Sequence, residues 1–265
     1  MNQNKNQTIL KDNGIFYLIS FLVLLAMKYF YSRADASALK WILAPTVWWV
    51  QAFSRIPFHY VPYEGYVNHT YQFVIAPSCS GMQFMIITIA TLLFPFIHQF
   101  ESKQKKVCWM IFTFPASYIL TILVNIIRII VSIYLPVILE QKSLLRGSLT
   151  PARLHTLIGT FVYFTFLVII YYLAGLLTHR SFHKFLPPLF FYLALVLGVP
   201  FLNRAWQNGS SQFSEYAILV LIVCLTVLSS CKLMHILRRI ISKNLSRLLH
   251  LLSSFCRKPP LSLKQ

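Results

Sequence analysis

The chain has 265 residues, of which 57% are hydrophobic and only 11% charged, and its mean hydropathy is +0.64. That balance excludes an ordinary soluble globular domain: the apolar residues come in long blocks parted by short polar connections, leaving no stretch to enclose a separate aqueous core. The net charge of +18 does not point to nucleic acid, because Lys and Arg gather in short loops beside the apolar blocks and in the C-terminal tail, where they hold loops in the cytoplasm and attract anionic lipid.

In chain order the apolar blocks fall at 15–31, 39–53, 82–98, 107–135, 154–177, 185–202 and 216–237. Each is near or somewhat below the ~20 residues that a helix needs to cross hydrocarbon. The expected fold is all-α, a polytopic transmembrane helical bundle of about seven spans, range about six to eight. Residues 1–237 then form one membrane domain.

Residues 1–38 also allow a signal-peptide reading, with Lys5 and Lys11 before an apolar stretch and Ala34-Asp35-Ala36 or Ala36-Ser37-Ala38 as cleavage sites. The stretch runs to span length and carries Lys28 late in it, which favours a retained span. The second block is short, contains Pro45 and carries the interfacial pair Trp48-Trp49, so a re-entrant segment is the alternative to a span.

Alternate connections differ two-to-one in basic residues. The richer set holds Arg33, Lys40, Lys103, Lys105, Lys106, Arg180, Lys184 and the tail, and is assigned to the cytoplasm. Segments 54–78, 136–153 and 203–215 then face outward. From Leu233 to Leu252 apolar residues recur every three or four positions with Arg238, Arg239, Lys243 and Arg247 between them. Residues 238–265 are therefore expected to be a basic amphipathic cytoplasmic tail lying on the membrane.

The five cysteines are 79, 108, 224, 231 and 256, and their spacing is neither that of a disulfide framework nor that of a zinc ribbon. Cys79 stands apart, in Ala-Pro-Ser-Cys-Ser-Gly-Met-Gln-Phe over 76–84, ahead of a helix expected to begin near Ser80 or Gly81. Unpaired N–H groups at a helix start stabilise a thiolate, and the small neighbours Ser80 and Gly81 allow a substrate backbone close. The bland alternative is a packed, inert membrane thiol.

Arg128 lies in an apolar run with no other charge from 107 to 139, which marks either a site or an arginine snorkelling to the interface. Asn125, one turn earlier, shares its face. A guanidinium there can stabilise an oxyanion or hold a substrate carboxylate or backbone. His155 opens the next block, with Gly159 four residues on, where a glycine lets a neighbouring helix approach on the histidine's own face. Cys79, Arg128 and His155 should lie at comparable depth on one membrane face: a nucleophile, an oxyanion or substrate binder, and a general acid or base.

Cys79-Ser80-Gly81, Asn125 through Arg128 and His155 through Gly159 resemble, in order, the C-S-G, N-x-x-R and H-x-x-x-G motifs of the exosortase and archaeosortase family of membrane transpeptidases. The resemblance covers about residues 76–175; the flanks share only their apolar character. It implies recognition of a membrane-anchored protein by a C-terminal sorting signal (a short motif, a transmembrane helix and a basic cluster), cleavage, and transfer to a cell-envelope acceptor. It also implies residence in the cytoplasmic (inner) membrane of a prokaryote, and the small size looks most like the compact branch called exosortase K. Met82-Gln83 departs from the aliphatic and then basic or small residues of many members, which bears on substrate subclass.

The rival readings are a transporter or channel lined by Arg128 and a structural subunit of an envelope-assembly system. No cofactor or metal is expected. His179 and His183 share a helical spacing but lack a third ligand nearby, and His59, Glu64 and His69 read as solvated groups of the outward loop before Cys79.

Overall fold

A computed structural model describes residues 2–141, 151–178, 186–205 and 213–234. Contacts divide the chain after Cys224 into a first unit, residues 1–224, and a second from Leu225 onward. The tail expected over 238–265 lies outside the described residues, as do His179 and His183.

The described chain is mainly helical. Helix α1 spans Asn2–Arg33 and α2 spans Lys40–Ser54. A short 3-10 turn, Pro77–Cys79, precedes α3, Met82–Leu93, and the long helices α4, Lys103–Gln141, and α5, Pro151–Leu177, follow. The next segment runs through α6, Leu186–Leu193, a π-helical stretch at Ala194–Gly198, and α7, Val199–Ala205. Helix α8 covers Phe213–Met234.

Five stretches among the described residues are long and apolar enough to cross a membrane: Asn13–Arg33, Pro77–Gln99, Lys103–Glu140, Arg153–Leu177 and Phe213–Met234. The other two apolar blocks are shorter helices. Helix α2 has 15 residues, a rise of about 22 Å against a hydrocarbon core of about 30 Å, and the apolar part of α6–α7 ends at Leu202.

The all-α expectation requires one correction. Residues 59–75 form a three-stranded antiparallel sheet of β1 (His59–Val61), β2 (Gly65–Asn68) and β3 (Phe73–Ile75), in the order β1-β2-β3. Tyr60, Val61, Tyr66, Val67, Val74 and Ile75 supply the β-branched and aromatic side chains that suit a pleated surface. Asn68 closes the second turn, accepting from the Tyr71 N–H at 2.7 Å and donating to the Pro57 carbonyl at 2.6 Å.

Helix α3 is the centre of the first unit. Every one of its residues except Gln83 is buried, and it packs against α1, α4, α5 and α6. The helices around it are amphipathic in the sense that lipid imposes. On α4 the buried face carries Thr113, Ser117, Thr121, Asn125, Arg128 and Ser132 at helical spacing, while Ile111, Phe112, Ile119 and Leu123 are exposed. Apolar residues face outward where the solvent is hydrocarbon, and polar groups turn inward to find partners.

Candidate active site

The 3-10 turn is built by sequence. Pro77 fixes its start, the Cys79 N–H bonds the Ala76 carbonyl at 2.8 Å, and Ser80 Oγ accepts from the Met82 N–H at 3.3 Å to begin α3. Gly81 joins turn to helix with φ +79, and a Cβ there would lie 2.8 Å from Thr121 Cγ2 and 3.2 Å from Asn125 Cγ. Both the left-handed backbone and the close approach of α4 demand glycine.

Four hydrogen bonds then link three helices. Asn125 Nδ2 on α4 donates to the carbonyl of Cys79 at 2.7 Å. The Tyr163 hydroxyl on α5 donates to Asn125 Oδ1 at 2.7 Å and accepts from Arg128 Nη1 at 3.2 Å. Arg128 Nη2 lies 2.7 Å from His155 Nε2. A guanidinium has only donors, so Nε2 accepts, and His155 is neutral with its proton on Nδ1. The Cys79 thiol is close enough to the Arg128 guanidinium for the two to couple electrostatically.

Arg128 is only 7% exposed, and no carboxylate pairs with it among the described residues; the recorded ion pair is the exposed Arg153–Glu215 at 2.7 Å. Its Nε has no hydrogen-bond partner there and lies 3.3 Å from where a Cβ on Gly159 would stand. Gly159 thus gives the guanidinium room against α5.

A cavity of about 270 Å³ opens beside this network, lined by Ser78, Gly81, Gln83, Arg128, His155, Thr156, Tyr163, Tyr192, Val196 and Tyr216. Cys79 itself is 6% exposed and belongs to the apolar cluster with Met82, Ile126 and Ile129. Ser78 and Gly81, on either side of it in the chain, are among the lining residues. Gln83 Nε2 also donates to the Leu195 carbonyl in the π-helical stretch, at 3.4 Å.

Seven residues singled out from sequence, Cys79, Ser80, Gly81, Asn125, Arg128, His155 and Gly159, therefore meet in one place. A family model described as transmembrane exosortase matches residues 14–172. The chain belongs to the transmembrane exosortase family. No curated protein and no solved structure matches it. Membership makes the chain a multi-pass membrane protein of a family whose members are generally cysteine-type transpeptidases with a sorting role.

The remaining candidates stand apart from this cluster. His59, Glu64 and His69 are exposed on the sheet and its turns, and no group of metal-ligating side chains occurs among the described residues. Sequence reasoning missed Tyr163, although it continues the series His155, Gly159, Tyr163 at four-residue steps on one face of α5. It also missed Tyr192 and Tyr216, whose helices are far along the chain and gave no local signal.

Proposed function

We propose that the chain is a membrane-embedded cysteine transpeptidase that recognises the C-terminal sorting signal of a surface-destined, membrane-anchored protein, cleaves it, and transfers the protein to a cell-envelope acceptor. The observation that carries this reading is the hydrogen-bond chain that runs from His155 through Arg128, Tyr163 and Asn125 to the Cys79 carbonyl, with Arg128 bonding His155 at 2.7 Å beside an open cavity. In the resting arrangement His155 has no free lone pair, because Nδ1 holds a proton and Nε2 is engaged by Arg128. A substrate carbonyl that draws Nη2 to itself frees Nε2.

The thiol proton then passes to His155 Nε2 as Cys79 Sγ attacks the scissile carbonyl carbon, and Arg128 stabilises the resulting oxyanion. Collapse breaks the C–N bond, the leaving amine takes the proton from His155, and a thioester remains on Cys79. An acceptor nucleophile or water attacks that thioester and restores the thiol. Asn125 holds the Cys79 carbonyl, and Ser80 and Gly81 shape the turn.

Depth supports an outward-facing site in the cytoplasmic membrane. If Lys103, Lys105 and Lys106 mark the inner boundary, the ~20 residues of helix that cross hydrocarbon bring α4 to the outer boundary close to Arg128. On this reading the short helices α2 and α6–α7 complete about seven membrane segments, and the small chain is of the compact exosortase K type.

The test is replacement of Cys79 by Ala in cells, which should leave insertion intact and accumulate uncleaved substrate. Thiol labelling sharpens it, since Cys108 is exposed and Cys79 covered, so faster labelling of Cys79 must come from activation rather than access. Full processing by the Cys79→Ala protein would transfer the case to the transporter or structural-subunit reading.

A further inference from the structure

Tyr163 is placed as no packing residue needs to be. Its hydroxyl spends its one proton on Asn125 Oδ1 and a lone pair on Arg128 Nη1, and its ring is held independently by stacking on Phe84, centroids 4.7 Å apart at 15°. Each direction of donation along the chain is forced. Arg128 can only donate, so the hydroxyl accepts from it and turns its proton to Asn125. The amide oxygen of Asn125 is thereby committed to Tyr163, and its NH₂ to the Cys79 carbonyl. An unbroken run of hydrogen bonds joins the peptide of the nucleophile to the imidazole of His155.

We infer that Tyr163 is a positioning residue of the reaction, whose hydroxyl fixes the Arg128 guanidinium relative to the Cys79 turn. The inference rests on Cys79 being the nucleophile. Without the hydroxyl, Arg128 and Asn125, three residues apart on one face of α4, are free to bond each other, which draws the guanidinium off the thiol and off His155. Substitution by Phe removes that oxygen and leaves the ring on Phe84.

The experiment measures site-resolved alkylation of Cys79 by iodoacetamide across pH, on the full chain in detergent, for wild type and Tyr163→Phe. The variant should stay folded, melting a few degrees lower, and label about tenfold more slowly at neutral pH, the worth of one hydrogen bond to a charged group. It should reach the wild-type plateau only under more alkaline conditions. Where Tyr163→Phe fails to fold, Asn125→Ala removes the acceptor that fixes the direction of the Tyr163 hydroxyl, so the hydroxyl no longer has to point a lone pair at Arg128, and Cys79 should again label more slowly. A profile that superimposes on wild type overturns the inference, and so does one slowed uniformly at every pH, which marks altered access. Alkylation needs no substrate: a wild-type Cys79 that labels no faster than the buried Cys224 counts against the enzyme reading, whereas a reactive Cys79 indifferent to Tyr163 counts against the positioning role alone.

Discussion

Lys106 and Arg128 are both cations of α4 and are equally buried, at 6% and 7% exposure. Lys106 sits in the first turn beside Lys103 and Lys105, with its ammonium 5.6 Å from the centre of the Phe16 ring. Its flexible stem can carry the charge to the membrane boundary, and a loose cation–π contact is all that its place requires. Arg128 is more than six turns further along and is gripped by Tyr163 and His155 on a second helix. Burial of a charge therefore does not make a site. What distinguishes Arg128 is that two neutral groups of α5 converge on it and leave it adjacent to a cavity.

Arg128→Lys gives the largest expected effect on that contrast. An ammonium keeps the charge but cannot present two fixed donors to Tyr163 and His155 at once, and loss of an oxyanion donor costs about a hundredfold or more in rate. Substrate processing should fall by that factor while the protein inserts normally. Processing at the wild-type rate in this variant would mean that Arg128, like Lys106, serves only as a charge.

Next in size is Gly81→Ala. A side chain at φ +79 costs about 1–2 kcal/mol before any collision, and the 2.8 Å approach of Thr121 adds to it. The melting temperature should drop and Cys79 should lose its reactivity together, because the same glycine sets the turn and admits α4. A variant that melts lower but labels normally would separate the turn from the chemistry.

The sequence carried much of this contrast and hid some of it. Long apolar runs identify α1, α3, α4, α5 and α8, since a helix in lipid is apolar over its whole length, and the polar face of α4 is readable as Thr113, Ser117, Thr121, Asn125, Arg128 and Ser132 at three- and four-residue steps. The common depth of Cys79, Arg128 and His155 followed from their places at span ends. The sheet did not follow, because strands of three or four residues offer too few positions for an alternating period. Tyr163 was hidden differently. An aromatic in an apolar run reads as packing, and only its hydroxyl, bonded to residues 35 and 38 positions earlier, reveals otherwise.

Gly159→Ala should have a smaller effect, because the Cβ would meet a side-chain atom, Arg128 Nε at 3.3 Å, that can yield by a few tenths of an ångström. Alanine is also the better helix former by up to about 1 kcal/mol, so stability should hold or rise. A displaced guanidinium should nevertheless slow processing by about tenfold, in line with the sensitivity of catalysis to misplacements near an ångström. Unchanged processing would show that the space beside Arg128 exceeds what the site needs.

Lys106→Gln is the smallest and completes the comparison. It removes a charge as buried as that of Arg128, so an argument from burial alone predicts a large effect. With the network intact the effect should be almost nil: Lys103 and Lys105 still charge the N-terminal end of α4, the lost cation–π contact is worth about 0.5–1 kcal/mol, and no bond of the site passes through Lys106. Cys79 labelling and substrate processing should stay within twofold of wild type, with a melting shift of a few degrees at most. A loss of Cys79 reactivity in this variant would mean that the two ends of α4 communicate, and that the boundary lysines help to set the depth at which Arg128 meets Cys79.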